Sequence, residues 1–180
     1  MKWMKLLGVS LMLMFVTSAA QAQRFAYVDS EYILQHIPEY LSAQKQLDDL
    51  SIQWQEEVDQ RFAQIEVLYK EYQENQVLMS EEARRKKEDE IILKEREAKE
   101  YQRLKFGFEG DLHKERIKLI QPIQERVAKA IQQLAEEQGL DFILDRGSEI
   151  TFLYANPKLD KSADIITRLG YKPNPNKLNP

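Results

Sequence analysis

The chain has 180 residues, no cysteine, 31% charged side chains and a formal net charge of −4. Without cysteine it can build neither a disulfide framework nor a thiolate metal site, and its mildly acidic balance excludes a general nucleic-acid binder. Its apolar residues run in stripes along long stretches without Gly or Pro, which predicts an extended architecture rather than one globular core.

Lys2 and Lys5 precede an apolar run from Leu6 to Val16, and small residues follow at Ala20 and Ala22. That order of basic, apolar and small residues predicts a secretory signal peptide over residues 1–22, cleaved after Ala22. The apolar run is shorter than the roughly 20 residues of a membrane span. A cysteine-free exported chain fits the periplasm of a Gram-negative bacterium. Lys2 and Lys5 leave with the leader, so the mature chain is more acidic still.

Phe25, Tyr27 and Val28 in "RFAYVDS" (residues 24–30) predict a short strand. Pro38 suits a helix start, and from there to about Val77 nothing interrupts a helix. Leu47, Trp54 and Leu68 alternate with Val58, Ile65, Tyr72 and Met79 at 3-4 spacing, the seam of a coiled coil. Arg61 and Asn75 interrupt one row, Gln44 and Ser51 the other. Ser80 is placed to cap a second helix, with Glu81 and Glu82 favoured by its dipole, and Gly139 to end it. Two such helices predict an antiparallel hairpin arm on the order of 55 Å long, at about 1.5 Å per residue.

Folding the hairpin about residue 78 sets Arg61 opposite Glu95 and brings Ile52 and Phe106 to one height, away from the seam. Gly107 and Gly110 mark a bendable place, and Pro122 predicts a kink. Beyond it Ile123, Val127, Ile131 and Leu134 form a cleaner apolar stripe, so the arm is assigned to residues 39–121, with its tip near 76–80. The body takes 23–38 and 122–170.

"DFILD" and "ITFLYAN" flank "RGSE" (Arg146–Glu149), which predicts a β-hairpin. "DKSADIITRLG" gives one short amphipathic helix, and residues 171–180 read as a disordered tail. A two-stranded hairpin is marginal in water and its open edges invite pairing. Several chains are therefore expected to contribute strands to one shared sheet or barrel. The residues expected to fasten that assembly are Phe25, Tyr27, Val28, Phe142, Leu144, Ile150, Phe152 and Tyr154.

The segments "PIQERVAKAIQQLAEEQGLDFILD", "YANPKLDKSADIITRLG" and "FAYVDSEYIL" resemble the Skp/OmpH family of periplasmic chaperones, over essentially the whole mature chain. The resemblance implies an α+β, mainly α fold: a jellyfish-like homotrimer whose long coiled-coil arms project from a small shared β-barrel. It implies an ATP-independent holdase that keeps unfolded outer-membrane proteins soluble in the cavity between the arms. The alternative is a structural or adaptor coiled-coil protein of the envelope that docks a folded partner.

The best-known relatives are basic, whereas here concentrated positive charge is confined to Arg84, Arg85, Lys86 and Lys87. That cluster is a candidate contact for acidic clients, lipopolysaccharide or anionic lipid. Val77, Leu78 and Met79 at the tip, with Ile52 and Phe106 lower on the arm, are the candidate apolar client contacts. No enzyme and no cofactor are expected. His36 and His113 are the only histidines, Glu109–His113 has no further ligand partner, and Asp145 and Glu149 flank a turn.

Overall fold

The strand expected near the mature start forms as β1 (Phe25–Val28), and its partner is β2 (Phe142–Asp145). The computed structural model describes residues 24–147 and 153–174. The strands pair in parallel, Phe25 opposite Phe142 and Val28 opposite Asp145. Parallel strands need a long crossover, and here the whole helical arm provides it. The amide of Asp141 donates to the Arg24 carbonyl (2.8 Å) and that of Arg146 to the Val28 carbonyl (2.7 Å), closing both ends of the ladder. On the other side of β1, Tyr27 makes an isolated parallel bridge with Asp160.

This pairing gives β2 a parallel partner on one edge, beside the hairpin expected of it. The return strand was expected to begin at Ile150 and Phe152, which with Glu149 lie outside the described residues, as do the leader and residues 175–180. Leu153–Asn156 is not strand, and Pro157–Leu159 turns as a single 3-10 helix. Asp145 has the turn role expected of it: its Oδ1 accepts from the amides of Ser30 (3.0 Å) and Gly147 (2.9 Å).

A short helix that the sequence reading missed, α1 (Ser30–Gln35), follows β1. Asp29 caps it, accepting from the Tyr32 amide at 2.9 Å. Then come α2 (Pro38–Asn75), α3 (Glu81–Phe106) and α4 (Asp111–Gln138), and after β2 the last helix, α5 (Ser162–Arg168). Pro38 stands in the first turn of α2, where its missing N–H costs nothing. Ser80 caps α3 as expected, its Oγ accepting from Ala83 at 3.2 Å.

Among the described residues, two apolar clusters hold the chain together. The body cluster gathers Val28, Ile33, Ile37, Val127, Leu134, Ile165 and Ile166 from β1, α1, α4 and α5, and reaches Tyr40, Ala43 and Leu119 at the base of the arm. On α4 this packing reaches Leu119, about one turn before Pro122. Each fully buried aliphatic contributes roughly 1.5–3 kcal/mol. The arm cluster is thinner, with Ile65, Ile91 and Ala98 buried and Phe62, Leu68 and Tyr72 packed around them.

The second half of the arm is not one helix. It breaks at Gly107–Gly110, where the Gly110 amide closes a turn onto the Gly107 carbonyl (2.9 Å) and Glu109 takes φ 55°. Helix α4 runs on through Pro122, where a kink was expected. Pro122 and Lys118, one turn back, are both exposed, so the carbonyl left without a donor faces water. Gly139 ends α4 in the left-handed region (φ 59°), and the Leu140 amide returns to the Ala135 carbonyl at 2.9 Å.

Candidate functional site

Packing divides the arm residues into those that fasten the hairpin and those that do not. Across the seam, the Tyr72 hydroxyl donates to the Glu88 carboxylate and the Tyr101 hydroxyl to that of Glu57. Arg61 lies over the Tyr101 ring, 4.2 Å from its centroid, and not against Glu95, which pairs with Lys99 at 3.3 Å. The facing positions are therefore offset by a few residues from a fold about residue 78. The charge at Arg61 is still accommodated within the seam, by an aromatic face.

Lys105 links this belt to the break. Its ammonium lies 4.6 Å from the centroid of the Trp54 ring and 2.7 Å from the Asp111 carboxylate in the first turn of α4. A cation over an aromatic face gives about 0.5–1 kcal/mol at an exposed site and more when desolvated. The Lys105 hydrogen bond holds the Asp111 carboxyl below its ordinary pKa. Burial, then the Glu57 carboxylate, raises that of the Tyr101 phenol. The arm is thus pinned directly beside its interrupted turn.

Other residues on the arm contribute little to folding. Ile52 is 60% exposed, and Val77 and Leu78 at the tip are 85% and 86% exposed. Phe106 and Met79 are half-buried, so both share in the packing of the arm. The sequence reading missed Phe108, which is 98% exposed on the turn between Gly107 and Gly110. An aromatic between closely spaced glycines is a legible signal for a projecting side chain. Val67, Ile92 and Leu104 are further exposed aliphatics of α2 and α3.

The basic cluster is offset by its neighbours. Arg85 pairs with Glu81 at 2.9 Å, Lys86 with Glu82 at 2.8 Å and Lys87 with Glu90 at 3.1 Å. Arg84 donates to the Gln76 carbonyl at 3.2 Å, bracing the tip. Exposed pairs of this kind contribute a few tenths to about 1 kcal/mol, yet they remove much of the field that would draw an anionic surface.

The fastening residues divide in the same way. Tyr27 and Val28 are buried in the chain's own body, and Leu144 is half-buried. Phe25 and Phe142 are exposed, their rings stacked 5.9 Å apart on one face of the ladder, and Tyr154 stands in solvent. Among the described residues no group of three or more metal-ligating side chains forms, and no helix is long and apolar enough to cross a membrane. His113 is exposed, while His36 is buried against α1.

The family model described as "Outer membrane protein (OmpH-like)" matches residues 24–169. A similar fold is found in the crystal structure of a protein from Caulobacter crescentus described as a candidate OmpH-like outer membrane chaperone. The TM-score is 0.65 and the identity 14%, over 85% of this chain and 87% of that one. No curated protein matches the chain.

Proposed function

The chain belongs to the OmpH-like family, and on that premise we propose that it is an ATP-independent periplasmic holdase for unfolded outer-membrane proteins. The observation that carries this reading is the set of apolar side chains left in water along the arm: Ile52, Val77, Leu78 and Phe108. Burying them against a disordered client recovers free energy that folding leaves unused. Several modest contacts retain a client while leaving it mobile, and release needs only a downstream partner that binds it more strongly.

The reading extends to assembly. Three chains would join their bodies at the ladder face that carries the exposed Phe25 and Phe142, so that three arms enclose the client. A sheet of two short strands is marginal in water by itself, which supports such a union. Residues 1–22 would direct export and be removed. The paired basic cluster at Arg84–Lys87 argues for apolar rather than ionic capture, and against a strong lipopolysaccharide contact.

The test is retention of a urea-diluted outer-membrane β-barrel protein on size exclusion. The wild-type protein should carry the client into one early-eluting peak at the mass of a trimer plus client. Ile52→Ser combined with Phe108→Ser should leave the assembly intact and release the client. Unchanged retention would remove the arm from the account, and a chain that elutes as a monomer would remove the shared body. A protein that ignores unfolded clients but captures a folded envelope protein would favour the adaptor reading.

A further inference from the structure

His36 caps the C-terminal end of α1 and is buried. Its Nδ1 lies 2.7 Å from the Tyr32 carbonyl oxygen, and its Nε2 lies 3.0 Å from the backbone nitrogen of Asn174. These two contacts fix the chemical state of the ring. The Asn174 N–H can only donate, so Nε2 must offer its lone pair. The proton then sits on Nδ1 and is donated to the Tyr32 carbonyl, which makes the ring neutral. Asn174 is held a second time, its carbonyl accepting from the Tyr32 hydroxyl at 3.1 Å. The Tyr32 ring itself packs edge-on against the imidazole, with centroids 4.4 Å apart.

From this geometry we propose that His36 is a proton-operated latch that clasps the C-terminal segment to the body when neutral and lets it go when protonated. A second proton on the ring can go only to Nε2. There it would point at the Asn174 N–H, donor against donor, and the clasp must open. Neutral imidazole is the latched form, so the linkage favours release on acidification. Among the described residues, release is confined to 172–174, because Tyr171 has its own anchors. Its amide returns to the Ile166 carbonyl (3.0 Å), and its hydroxyl donates to Glu39 (2.9 Å), with Arg126 3.5 Å away.

The ionisable groups that the contacts place around the clasp are Tyr32, with the charges of Asp160 and Asp29 bearing on it, and Tyr171, with Glu39 on α2 and Arg126 on α4. Glu39 is already engaged by Arg126 at 3.5 Å, and its pKa is lowered by its own backbone amide and the Tyr171 hydroxyl. It keeps its charge through the pH range concerned. Opening the latch would uncover the Tyr32 and His36 side chains, which are buried in the latched state.

The experiment is transverse-relaxation-optimised NMR on the full mature protein, following the Asn174 amide and the ring nitrogens of His36 from pH 8 to pH 5. At pH 8 the Asn174 order parameter should match the rigid backbone, about 0.85, and at pH 5 it should fall below about 0.6, with a midpoint that tracks the ring. In His36→Gln the pH dependence should vanish. An Asn174 amide that stays ordered while the ring shifts report a protonated His36 would overturn the proposal, as would an identical fall in His36→Gln. Should that variant lose its body signals, Tyr32→Phe serves instead. With one clasp gone, release should move to higher pH, and an unmoved midpoint would again overturn the proposal.

Discussion

Ile165 and Ile52 are the same residue in opposite settings, and replacing each with alanine tests how the fold divides labour. Ile165 is fully buried in the body, whereas Ile52 keeps 60% of its surface in water. Ile→Ala removes three carbons, or about 2.4 kcal/mol of transfer free energy at full burial. At Ile165 a residual cavity adds to this, placing the loss at about 3 kcal/mol, inside the 2–5 kcal/mol span of such deletions. At Ile52 less than half of the transfer energy is at stake, about 1 kcal/mol, and the better helix propensity of alanine returns several tenths. The net loss there is about 0.5 kcal/mol. Urea unfolding followed by circular dichroism reads the difference, with all proteins at one concentration because assembly shifts apparent stability. With a slope near 2 kcal/mol per molar, Ile165→Ala should move the midpoint by about 1.5 M and Ile52→Ala by about 0.3 M. Equal shifts, or the larger one at Ile52, would refute the assignment of stability to the body and exposure to the arm.

At the tip, Val77→Ser with Leu78→Ser should leave the unfolding free energy within about 0.5 kcal/mol of wild type and weaken client retention on size exclusion. A double-mutant cycle of Trp54→Leu and Lys105→Met should give a coupling of about 0.5–1 kcal/mol by urea unfolding, the size of an exposed cation–π contact. Gly107→Ala would set a Cβ 2.4 Å from the Arg103 carbonyl oxygen, so the break must shift, at a cost of about 1–3 kcal/mol in the same assay. Acid should weaken the fold through Asp111 and Glu137, whose pKa values are lowered by hydrogen bonds from Lys105 and Arg168. Depressed carboxylates stabilise above their unfolded pKa of roughly 4, and that contribution is lost as pH falls through the lower folded values. The urea midpoint should therefore drop between pH 5 and pH 3, less steeply in Lys105→Met.

The arm was legible because its signals are local. The seven-residue spacing of Val58, Ile65 and Tyr72, the Ser80 cap and the left-handed Gly139 each depend on a few neighbouring residues. The pairing of β1 with β2 was not legible in this way. Phe25 and Phe142 stand at opposite ends of the crossover, and no local pattern distinguishes a parallel partner from a hairpin one. The expected Arg61–Glu95 contact failed because a shift of a few residues at the tip carries through the whole hairpin, leaving Tyr101 beneath Arg61. Gly107 and Gly110 signalled a bend, but only the turn itself shows that Phe108 is thrown into solvent. At Pro122 the helix continues, with the proline on its exposed side. The His36 clasp could not be read at all, since it joins a side chain to a backbone amide near the far end of the chain.

The claim at the centre is that exposed apolar side chains on the arm hold an unfolded client. Its most direct measurement is light scattering after a urea-denatured outer-membrane β-barrel protein is diluted into buffer with the mature chain at one trimer per client. Wild-type protein should suppress the rise in scattering. The variant carrying Ile52→Ser, Val77→Ser, Leu78→Ser and Phe108→Ser should lose most of that suppression with its urea midpoint and assembled mass unchanged. Aggregation as fast with wild type as without it, or full suppression by the variant, would contradict the account.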